Sequence, residues 1–205
     1  MARDTEACSR CRRAGVKLFL KGEKCYTDKC PVARRAYAPG ERGRRPTRQT
    51  EYSVQLREKQ KTKQIYGLLE KQFKNYYLFA ARQKGITGEN MLRLLEMRLD
   101  NIVFRLGLAF SRKQARQLVG HGHFEINGRV VNIPSARLRP GDAISVKDKK
   151  KVTQILEAEA TWKPETPPWL QLASDKLSGN VLRFPTREEI ETPIKEQLIV
   201  EFYSK

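Results

Sequence analysis

The chain has 205 residues, enough for one large domain or two small ones that bury a core without disulfides. Lysine and arginine number 41 against 23 acidic residues, which gives a net charge of +18 and predicts a polyanionic partner, with nucleic acid first. We find no apolar run long enough for a membrane span and no secretion signal, which argues against a membrane or secreted protein.

All four cysteines lie within the first 30 residues. Cys8 and Cys11 form a CxxC pair, and Cys25 and Cys30 form a second close pair. Two such pairs can complete a tetrahedral sulfur site of the kind that zinc prefers, and four thiolates leave no position for a catalytic water. We therefore expect one structural Zn²⁺, with an iron–sulfur cluster or two disulfides as the alternatives.

Basic residues surround the cysteines and continue beyond them. They would help to stabilise thiolates and would present positive charge outward. Residues 39–46, with the sequence PGERGRRP, combine turn formers with arginines. This composition predicts an extended surface segment that can lie along phosphates.

From Glu51 to Leu106 the apolar pattern is helical, in two stretches separated at Gly85–Gly88. The spacing places the following residues on core faces: Phe73, Tyr76, Tyr77 and Ala80 in the first stretch, and Leu92, Leu95, Leu99, Ile102, Val103 and Leu106 in the second. Gly107 is a plausible helix end.

Ser111 opens a further helix with a capping-box pattern, in which Gln114 is the second partner. Ala115, Leu118 and Val119 form its apolar stripe. The basic residues Arg112, Lys113 and Arg116 lie off that stripe, so positive charge should face outward beside a helix N-terminus that favours phosphate.

Strand signals follow this helix. Asn127-Gly128 between two apolar runs predicts a hairpin, since both residues tolerate positive φ. Pro140-Gly141-Asp142 predicts a turn before a strand at Ala143–Val146. His121 and His123 have no nearby cysteine or carboxylate in sequence, which favours hydrogen bonding or packing over metal binding.

The last quarter of the chain is different in composition. Residues 161–193 are rich in turn formers, and we expect a loop that Trp162 and Trp169 pin to a surface. From Thr192 onward the pattern fits either a helix or a strand. We recognise no nucleophile elbow, Walker loop or paired histidine and carboxylate motif, so an enzyme is not expected.

The run SRKQARQLVGHGHFEINGRVVNIPSARLRPGD, residues 111–142, resembles the RNA-binding module named after the fourth protein of the small ribosomal subunit. The runs RPTRQTEYSVQLREKQK from Arg45, EMRLDNIVFRLG from Glu96 and the terminal EQLIVEFYSK are similar to the bacterial family of that ribosomal protein. Some members of the family lack the cysteines, and this chain resembles the zinc-containing form with four.

The resemblance implies an α+β fold. A mainly helical domain would carry an inserted α/β RNA-binding module of two helices plus an antiparallel sheet, and a zinc-binding segment would precede it. The expected bounds are 1–45 for the zinc-binding segment and basic linker, 46–97 rejoined by 180–205 for the helical domain, and 98–179 for the inserted domain, with its core module at 98–150.

The resemblance also implies a function. The protein would be a structural constituent of the small subunit of a bacterial-type cytoplasmic ribosome, binding the 5′ domain of its ribosomal RNA and nucleating early assembly. It would lie as a monomer beside small-subunit proteins three and five near the messenger-RNA entry region, contributing to translational accuracy. Contact with messenger RNA, including repression of its own, is a secondary expectation.

Carried over by position, the resemblance marks six RNA-facing candidates in the module: Ser111, Arg112, Lys113, Arg116, His121 and His123. The basic residues of the preceding segments extend this expected surface: Arg12, Arg13, Arg34, Arg35, Arg44, Arg45, Arg48, Lys59 and Lys61. Guanidinium groups suit RNA because they grip phosphate bidentately or stack on bases.

Two other functions remain as alternatives. Modules of this kind also occur attached to RNA-modifying enzymes, but only about 60 residues follow the module here, without a recognisable catalytic constellation. A zinc-dependent DNA-binding regulator would explain the cysteines and the basic helix, although the chain has no histidine-paired finger and no dimerising heptads.

Overall fold

The structure is a computed structural model of the chain and describes residues 7–40, 43, 48–147, 152–153 and 165–204. Three residues named above, Arg44, Arg45 and Trp162, lie outside these described residues. None of the described helices is both long and apolar enough to cross a membrane.

The described residues form eight helices, a single 3-10 turn and five strands. The helices are α1 (Ala7–Ala14), α2 (Pro31–Arg34), α3 (Glu51–Ile65), α4 (Glu70–Ala81), α5 (Thr87–Glu96), α6 (Leu99–Arg105), α7 (Arg112–Gly120) and α8 (Glu196–Ser204), and the 3-10 turn is Gly22–Cys25. The strands are β1 (Phe124–Ile126), β2 (Arg129–Val130), β3 (Ala143–Val146), β4 (Leu170–Leu172) and β5 (Ser178–Val181).

Helices α3, α4, α5 and α8 build the helical part. Helix α8 packs against α3 and α5, and α4 packs against α5. Phe73 and Ala80 of α4 are fully buried, as the predicted core stripe requires, whereas Tyr76 and Tyr77 lie at its edge. The C-terminal segment, which the sequence left open, is therefore a helix, and it begins at Glu196 rather than at Thr192.

Each of the two predicted helical stretches contains one break that the sequence did not predict. The first ends at Ile65, and Gly67 adopts a φ of +63° before α4 begins. The second is interrupted at Arg98, whose backbone is extended. The N–H groups of Leu99 and Asp100 donate there to the carbonyls of Ala136 and Pro134, at 2.9 and 3.1 Å. These long-range hydrogen bonds satisfy the backbone N–H groups that the break leaves without a helical partner. The spacing of apolar residues cannot predict them, because their partners lie far away in the sequence.

The module contains α6, α7 and the sheet. Helix α6 packs on α7, and the five strands form an antiparallel sheet in the order β2-β1-β3-β5-β4. The predicted hairpin is confirmed, because Asn127 and Gly128 have φ angles of 50° and 77° between β1 and β2. The turn at Gly141, with φ of 93°, and the strand β3 are confirmed as well.

The expectation of a loop over residues 161–193 is wrong in part. Strands β4 and β5 lie in that range, and β5 pairs with β3 through Ile144 and Gly179. Gly179 has no room for a side chain, since a Cβ would lie 2.8 Å from the Gln171 carbonyl oxygen. Strands of three and four residues are too short to show a period. Trp169 is buried, as expected of an anchor.

Two clusters of buried apolar side chains underlie these two parts of the chain. One joins Leu18 and Cys11 to α3, α4, α5 and α8, and the other fills the space between α6, α7 and the sheet. Met97 already belongs to the second cluster, and so does Val181, which lies beyond the expected end of the insert at 179. The observed mixture of helices with an antiparallel sheet agrees with the predicted α+β class.

Candidate nucleic-acid interface

Two adjoining grooves are lined by basic side chains of α1, α3 and α7. Groove one lies between the N-terminal segment, the turn from α3 to α4 and the start of α7, with a cavity volume of about 490 Å³. Groove two lies between α1 and α3, with a volume of about 640 Å³. Arg10, Gln60 and Gln64 line both grooves, so the two form one continuous surface.

Helix α3 presents one polar face to these grooves. Arg57, Gln60, Lys61 and Gln64 follow the spacing of a single helical face and all line groove two. The opposite face of α3 is buried at Gln55, Lys59, Thr62 and Ile65. Thr50 caps the helix by accepting a hydrogen bond from the Ser53 backbone N–H at 3.3 Å.

The module contributes the N-terminal part of helix α7 to the lining of groove one. Ser111 accepts a hydrogen bond from the Gln114 backbone N–H at 3.2 Å, which confirms the predicted cap. The Gln114 side chain accepts from the Phe110 N–H instead of the Ser111 N–H, so the second half of the capping box is shifted by one residue. Because Ser111 is only 9% exposed and its hydroxyl is already used by the cap, it offers little to a ligand.

Arg112 points inward more than the sequence suggested. Its Nε donates to the Asn101 Oδ1 at 2.7 Å, and its guanidinium carbon lies 4.5 Å from the ring centre of Phe104 and 5.2 Å from that of Tyr66. Burial and the neighbouring positive charge of Arg105 lower the pKa of Arg112. The structure therefore gives Arg112 a structural role, although it still lines groove one.

A buried carboxylate organises the groups beside Arg112. Glu96 is fully buried and accepts hydrogen bonds from the Tyr66 hydroxyl at 2.6 Å, from Asn101 at 2.8 Å and from Arg105 at 3.1 Å. Burial alone would raise the pKa of Glu96, but the charges of Arg105 and Arg112 and these hydrogen bonds lower it to about 2. Burial and the Glu96 carboxylate raise the pKa of Tyr66.

A second buried ion pair lies at the break between α5 and α6. Arg98 is 1% exposed and donates to both carboxylate oxygens of Asp100, at 3.0 and 2.7 Å. It also donates to the Tyr76 hydroxyl of α4 at 2.8 Å. Arg116 approaches the same Asp100 at 3.6 Å and keeps 42% of its side chain exposed. Arg116 can therefore pair with Asp100 and also contact a ligand.

The three lysines of α3, of which Lys59 and Lys61 are predicted RNA contacts, are engaged within the protein. Lys59 is 6% exposed, pairs with Glu70 at 2.6 Å and lies 4.4 Å from the ring centre of Phe202, which argues against a direct RNA contact. Lys61 pairs with Glu58 at 2.6 Å. Lys63 pairs with Glu70 at 3.0 Å. Of these three, Lys61 and Lys63 line a groove.

The N-terminal arginines likewise differ in whether they bond within the protein or line a groove. The Nε of Arg12 donates to the carbonyls of Arg35 and Tyr37, at 3.2 and 3.0 Å, so this side chain holds the chain after α2. Arg13 is exposed and lines groove two. Arg34 is exposed and donates to the Asp28 carbonyl at 3.2 Å. Arg35 and Arg48 are exposed outside both grooves.

His121 and His123 lie at the other end of α7 from the grooves. Their rings are stacked with centres 6.2 Å apart, and His121 is exposed. The structure thus places them together at the surface beside the β1–β2 hairpin, but not on the surface that Lys113 and Arg116 share with α3. Their contact with RNA stays a prediction.

The four cysteines line one small cavity together with Leu20, Lys21 and Val32. All are free thiols, and Cys11, Cys25 and Cys30 are buried. The Lys21 backbone N–H donates to the Cys25 Sγ at 3.4 Å, which is the kind of contact that stabilises a thiolate. The described residues nevertheless include no group of three or more Cys, His, Asp or Glu side chains already arranged to hold a metal ion.

The cysteines influence one another electrostatically. Burial, followed by repulsion from the other three sulfur groups, raises the pKa of Cys11 above its ordinary value. Burial and its neighbours Cys30 and Cys8 do the same for Cys25. Four thiolates this close together need a compensating positive charge, so the donor set fits a cation such as Zn²⁺.

Neither Arg57 nor Arg10 is among the RNA-facing residues predicted from the sequence. Both are exposed and line the grooves. Arg57 lies four residues before Lys61 on a predicted helix, so its place on the same face could have been read from the sequence. The place of Arg10 depends on the packing of α1 against α3, which spacing alone does not show.

Two family models match this chain. The model described as "Ribosomal protein S4/S9 N-terminal domain" matches residues 3–96. The model described as "S4 domain" matches residues 97–144, which contain α6, α7, β1, β2 and the first two residues of β3. The border between the two matches falls at Met97, where the structure passes from one buried cluster to the other.

Full-length relatives give the same result. A protein of Thermoanaerobacter sp. (strain X514) called "Small ribosomal subunit protein uS4" is 57% identical over 198 residues, covering 97% of this chain and 96% of the relative. A protein of the same name from Solidesulfovibrio magneticus is 56% identical over 208 residues and covers 100% of both chains. "Small ribosomal subunit protein uS4A" of Symbiobacterium thermophilum is 53% identical over 207 residues.

Proposed function

Because the chain belongs to the ribosomal protein S4 family, we propose that it is a structural, RNA-binding protein of the small ribosomal subunit of bacterial-type cytoplasmic ribosomes. The observation that carries the proposal is the basic surface of the two grooves, because it joins residues of the S4 domain to residues of the preceding domain. The family is one of structural ribosomal proteins, which agrees with the prediction that the chain is not an enzyme.

We further propose the specific RNA and neighbours that the family resemblance implies. The RNA is the 5′ domain of small-subunit ribosomal RNA, bound early in assembly by a single copy of the chain. Small-subunit proteins three and five would be its protein neighbours near the messenger-RNA entry region, where it would contribute to translational accuracy. The net charge of +18 supports an RNA partner but does not distinguish one RNA from another.

Binding to transcribed RNA tests this proposal. The full chain should bind a 5′-domain transcript more tightly than a transcript of another ribosomal domain or a DNA duplex of equal length, all at the same salt concentration. Equal affinity for all three would contradict a specific ribosomal role. Preference for the duplex would favour a DNA-binding regulator instead.

Arg57→Ala and Lys113→Ala should each weaken binding and lower the slope of log affinity against log salt by about one, because each removes one phosphate-neutralising charge. Lys195→Ala is the matched control, since Lys195 is exposed in the acidic last quarter of the chain. An equal loss in all three variants would show that only total charge matters, and not the grooves.

We also propose that Cys8, Cys11, Cys25 and Cys30 hold one structural Zn²⁺. The support is the donor set: four free thiols line one cavity, three of them are buried, and a backbone N–H donates to Cys25. Metal analysis of protein purified without chelator should find one equivalent of zinc. Iron at one or more equivalents without zinc would establish the cluster alternative, and no metal at all would contradict both.

The domain bounds expected from the resemblance remain part of this proposal. The two buried clusters support a helical domain that the C-terminal segment rejoins after an insertion. Because Val181 packs in the insert, we place the return to the helical domain after β5.

A further inference from the structure

Groove one has more apolar side chains beneath its charged rim than groove two, whose apolar lining is Ala14, Pro39 and Leu56. Ile65, Tyr66 and Leu68 are buried at its base, and Phe19, Leu20 and Leu69 line its sides. Leu69, the residue before α4, is 71% exposed. A site that recognised phosphate alone would have no use for such walls, because phosphate is held by charge and hydrogen bonds.

The aromatic wall is held in a strained conformation. Phe19 has a φ of 51°, a region that bulky residues rarely adopt. Its ring packs against that of Tyr26 with centres 4.8 Å apart. Strain of this kind persists where the surrounding structure imposes it and is concentrated at functional sites. The result is an aromatic ring kept at the side of the groove.

Two amide side chains line the same groove. Gln60 and Gln64 are half-buried, one turn apart on α3. No side-chain hydrogen bond joins either amide to another of the described residues, so the donors and acceptors of both remain available to a ligand in the groove. A glutamine amide offers one donor group and one acceptor, the combination that recognises the edge of a nucleobase.

The rim of groove one is positive. Lys113 and Arg116 of α7 and Arg10 of α1 line it, and the one acidic residue among its described lining residues, Glu70, is neutralised by Lys59 and Lys63. The groove therefore combines apolar and aromatic walls, amide groups and a cationic rim, in a cavity of about 490 Å³. This volume is within the range of small-ligand sites.

We propose that groove one receives a single unpaired nucleotide of the bound RNA. Its base lies between Phe19 and Leu69, Gln60 and Gln64 bond the base edge, and its phosphate lies against Lys113 and Arg116. RNA suits such a site because its unpaired bases can turn outward and stack on protein side chains. The inference rests on the proposed function, since it specifies how the chain holds its ribosomal RNA.

Replacing the amides tests the base contact separately from the phosphate contact. Gln60→Leu and Gln64→Leu keep helix propensity and size but remove the hydrogen bonds. Each should weaken binding of the full chain to a 5′-domain transcript about tenfold, with the salt slope unchanged because no charge is lost. Gln117→Leu is the matched control, an exposed glutamine of α7 outside the groove, and should bind like the parent chain.

The outcomes separate this inference from the proposed function. If the parent chain does not prefer the transcript, the proposed function fails. If the parent chain binds and both groove variants bind equally well, only the nucleotide site is refuted. A lower salt slope in the glutamine variants would show that the substitution also removed a charged contact to phosphate, which refutes a base contact made by the amides alone. Thermal unfolding followed by circular dichroism establishes that each variant is folded.

Crosslinking gives an independent measurement. A photoreactive benzoylphenylalanine at position 69, placed in the full chain, should crosslink to one nucleotide of the transcript when the complex is irradiated. Primer extension locates that nucleotide, and chemical probing of the free transcript shows whether it is unpaired. A crosslink to an unpaired nucleotide supports the proposal, whereas crosslinks within a duplex, or none, would overturn it.

Discussion

At the scale of single residues, the most consequential side chain is a carboxylate that the sequence did not single out. Glu96 is fully buried at the end of α5 and bonds Tyr66 of the helical part and Arg105 of the module. Since Arg112 also lies beside it, one negative charge compensates two guanidinium groups. The junction between the two parts of the chain depends on this balance of charge.

Glu96→Gln should therefore destabilise the protein strongly. The amide keeps the shape of the side chain but removes the buried counter-charge that Arg105 and Arg112 share, and breaking a buried pair in this way costs about 3–5 kcal/mol. Urea unfolding at pH 7 measures the loss. Glu188→Gln, at an exposed glutamate, is the control and should change stability by less than about 0.5 kcal/mol.

The same residue predicts a dependence of stability on pH. The pKa of Glu96 is lowered to about 2 in the folded chain, while an unfolded glutamate titrates near its ordinary value of about 4.3. A lowered pKa adds stability above the unfolded value, and that contribution is lost as pH falls from about 5 towards 2. Urea unfolding across this range should show a steeper loss for the parent chain than for Glu96→Gln. Parallel curves would contradict the assignment.

At the scale of the elements, the helical part depends on a close contact between two helices far apart in sequence. Gly88 of α5 lies against Glu196 of α8, and a Cβ at position 88 would come within 2.7 Å of the Glu196 Cγ and 3.0 Å of its Cβ. Both atoms lie near the backbone of α8, so they cannot easily move away. The contact explains why a glycine, a poor helix former, stands in α5.

Gly88→Ala should destabilise the protein by about 1–3 kcal/mol, because the added methyl group forces α5 away from α8. Gly120→Ala in α7 is the matched control, since nothing lies within 4 Å of its Cβ position. There the alanine should be neutral or stabilise by up to about 1 kcal/mol through its helix propensity. Thermal unfolding of both variants compares them. Equal effects would mean that α8 does not pack on α5 in this way.

At the scale of the whole molecule, the cysteine cluster and the two cores differ in what stabilises them. The N-terminal segment contributes only a few apolar side chains, such as Leu18 and Cys11, to the core of the helical part. The module has a core of its own. Loss of the proposed metal should thus affect the N-terminal segment and spare the rest.

We expect Cys25→Ser to cause local disorder. Hydrogen exchange should accelerate in α1 and α2 while α5 to α7 keep their protection, because short polar segments cannot bury enough apolar surface to stay ordered alone. Complete unfolding of the chain in this variant would contradict the prediction. Affinity for the 5′-domain transcript should also fall, since Arg10 and Arg13 of α1 line the grooves.

Local features of the fold could be predicted from the amino-acid sequence. The Ser111 cap, the Asn127-Gly128 hairpin and the apolar faces of α4 and α5 each follow from a few neighbouring residues, so local physical chemistry is sufficient to predict them. The positive charge and the family resemblance likewise indicated RNA. The exact RNA contacts and the metal remain predictions, because they depend on partners that the chain meets.

The packing of the elements determines which charged residues are available to a ligand and which stabilise the fold through contacts within the protein. Lys59, Arg12 and Arg112 look like surface cations in the sequence, yet they pair or stack within the protein, and Arg57 and Arg10 join the surface instead. Strands β4 and β5 and the break at Arg98 depend on hydrogen bonds to distant residues. Charged residues follow no helix or strand periodicity that would reveal their partners. The partner of a charged side chain is determined only when the two elements that carry the pair pack together.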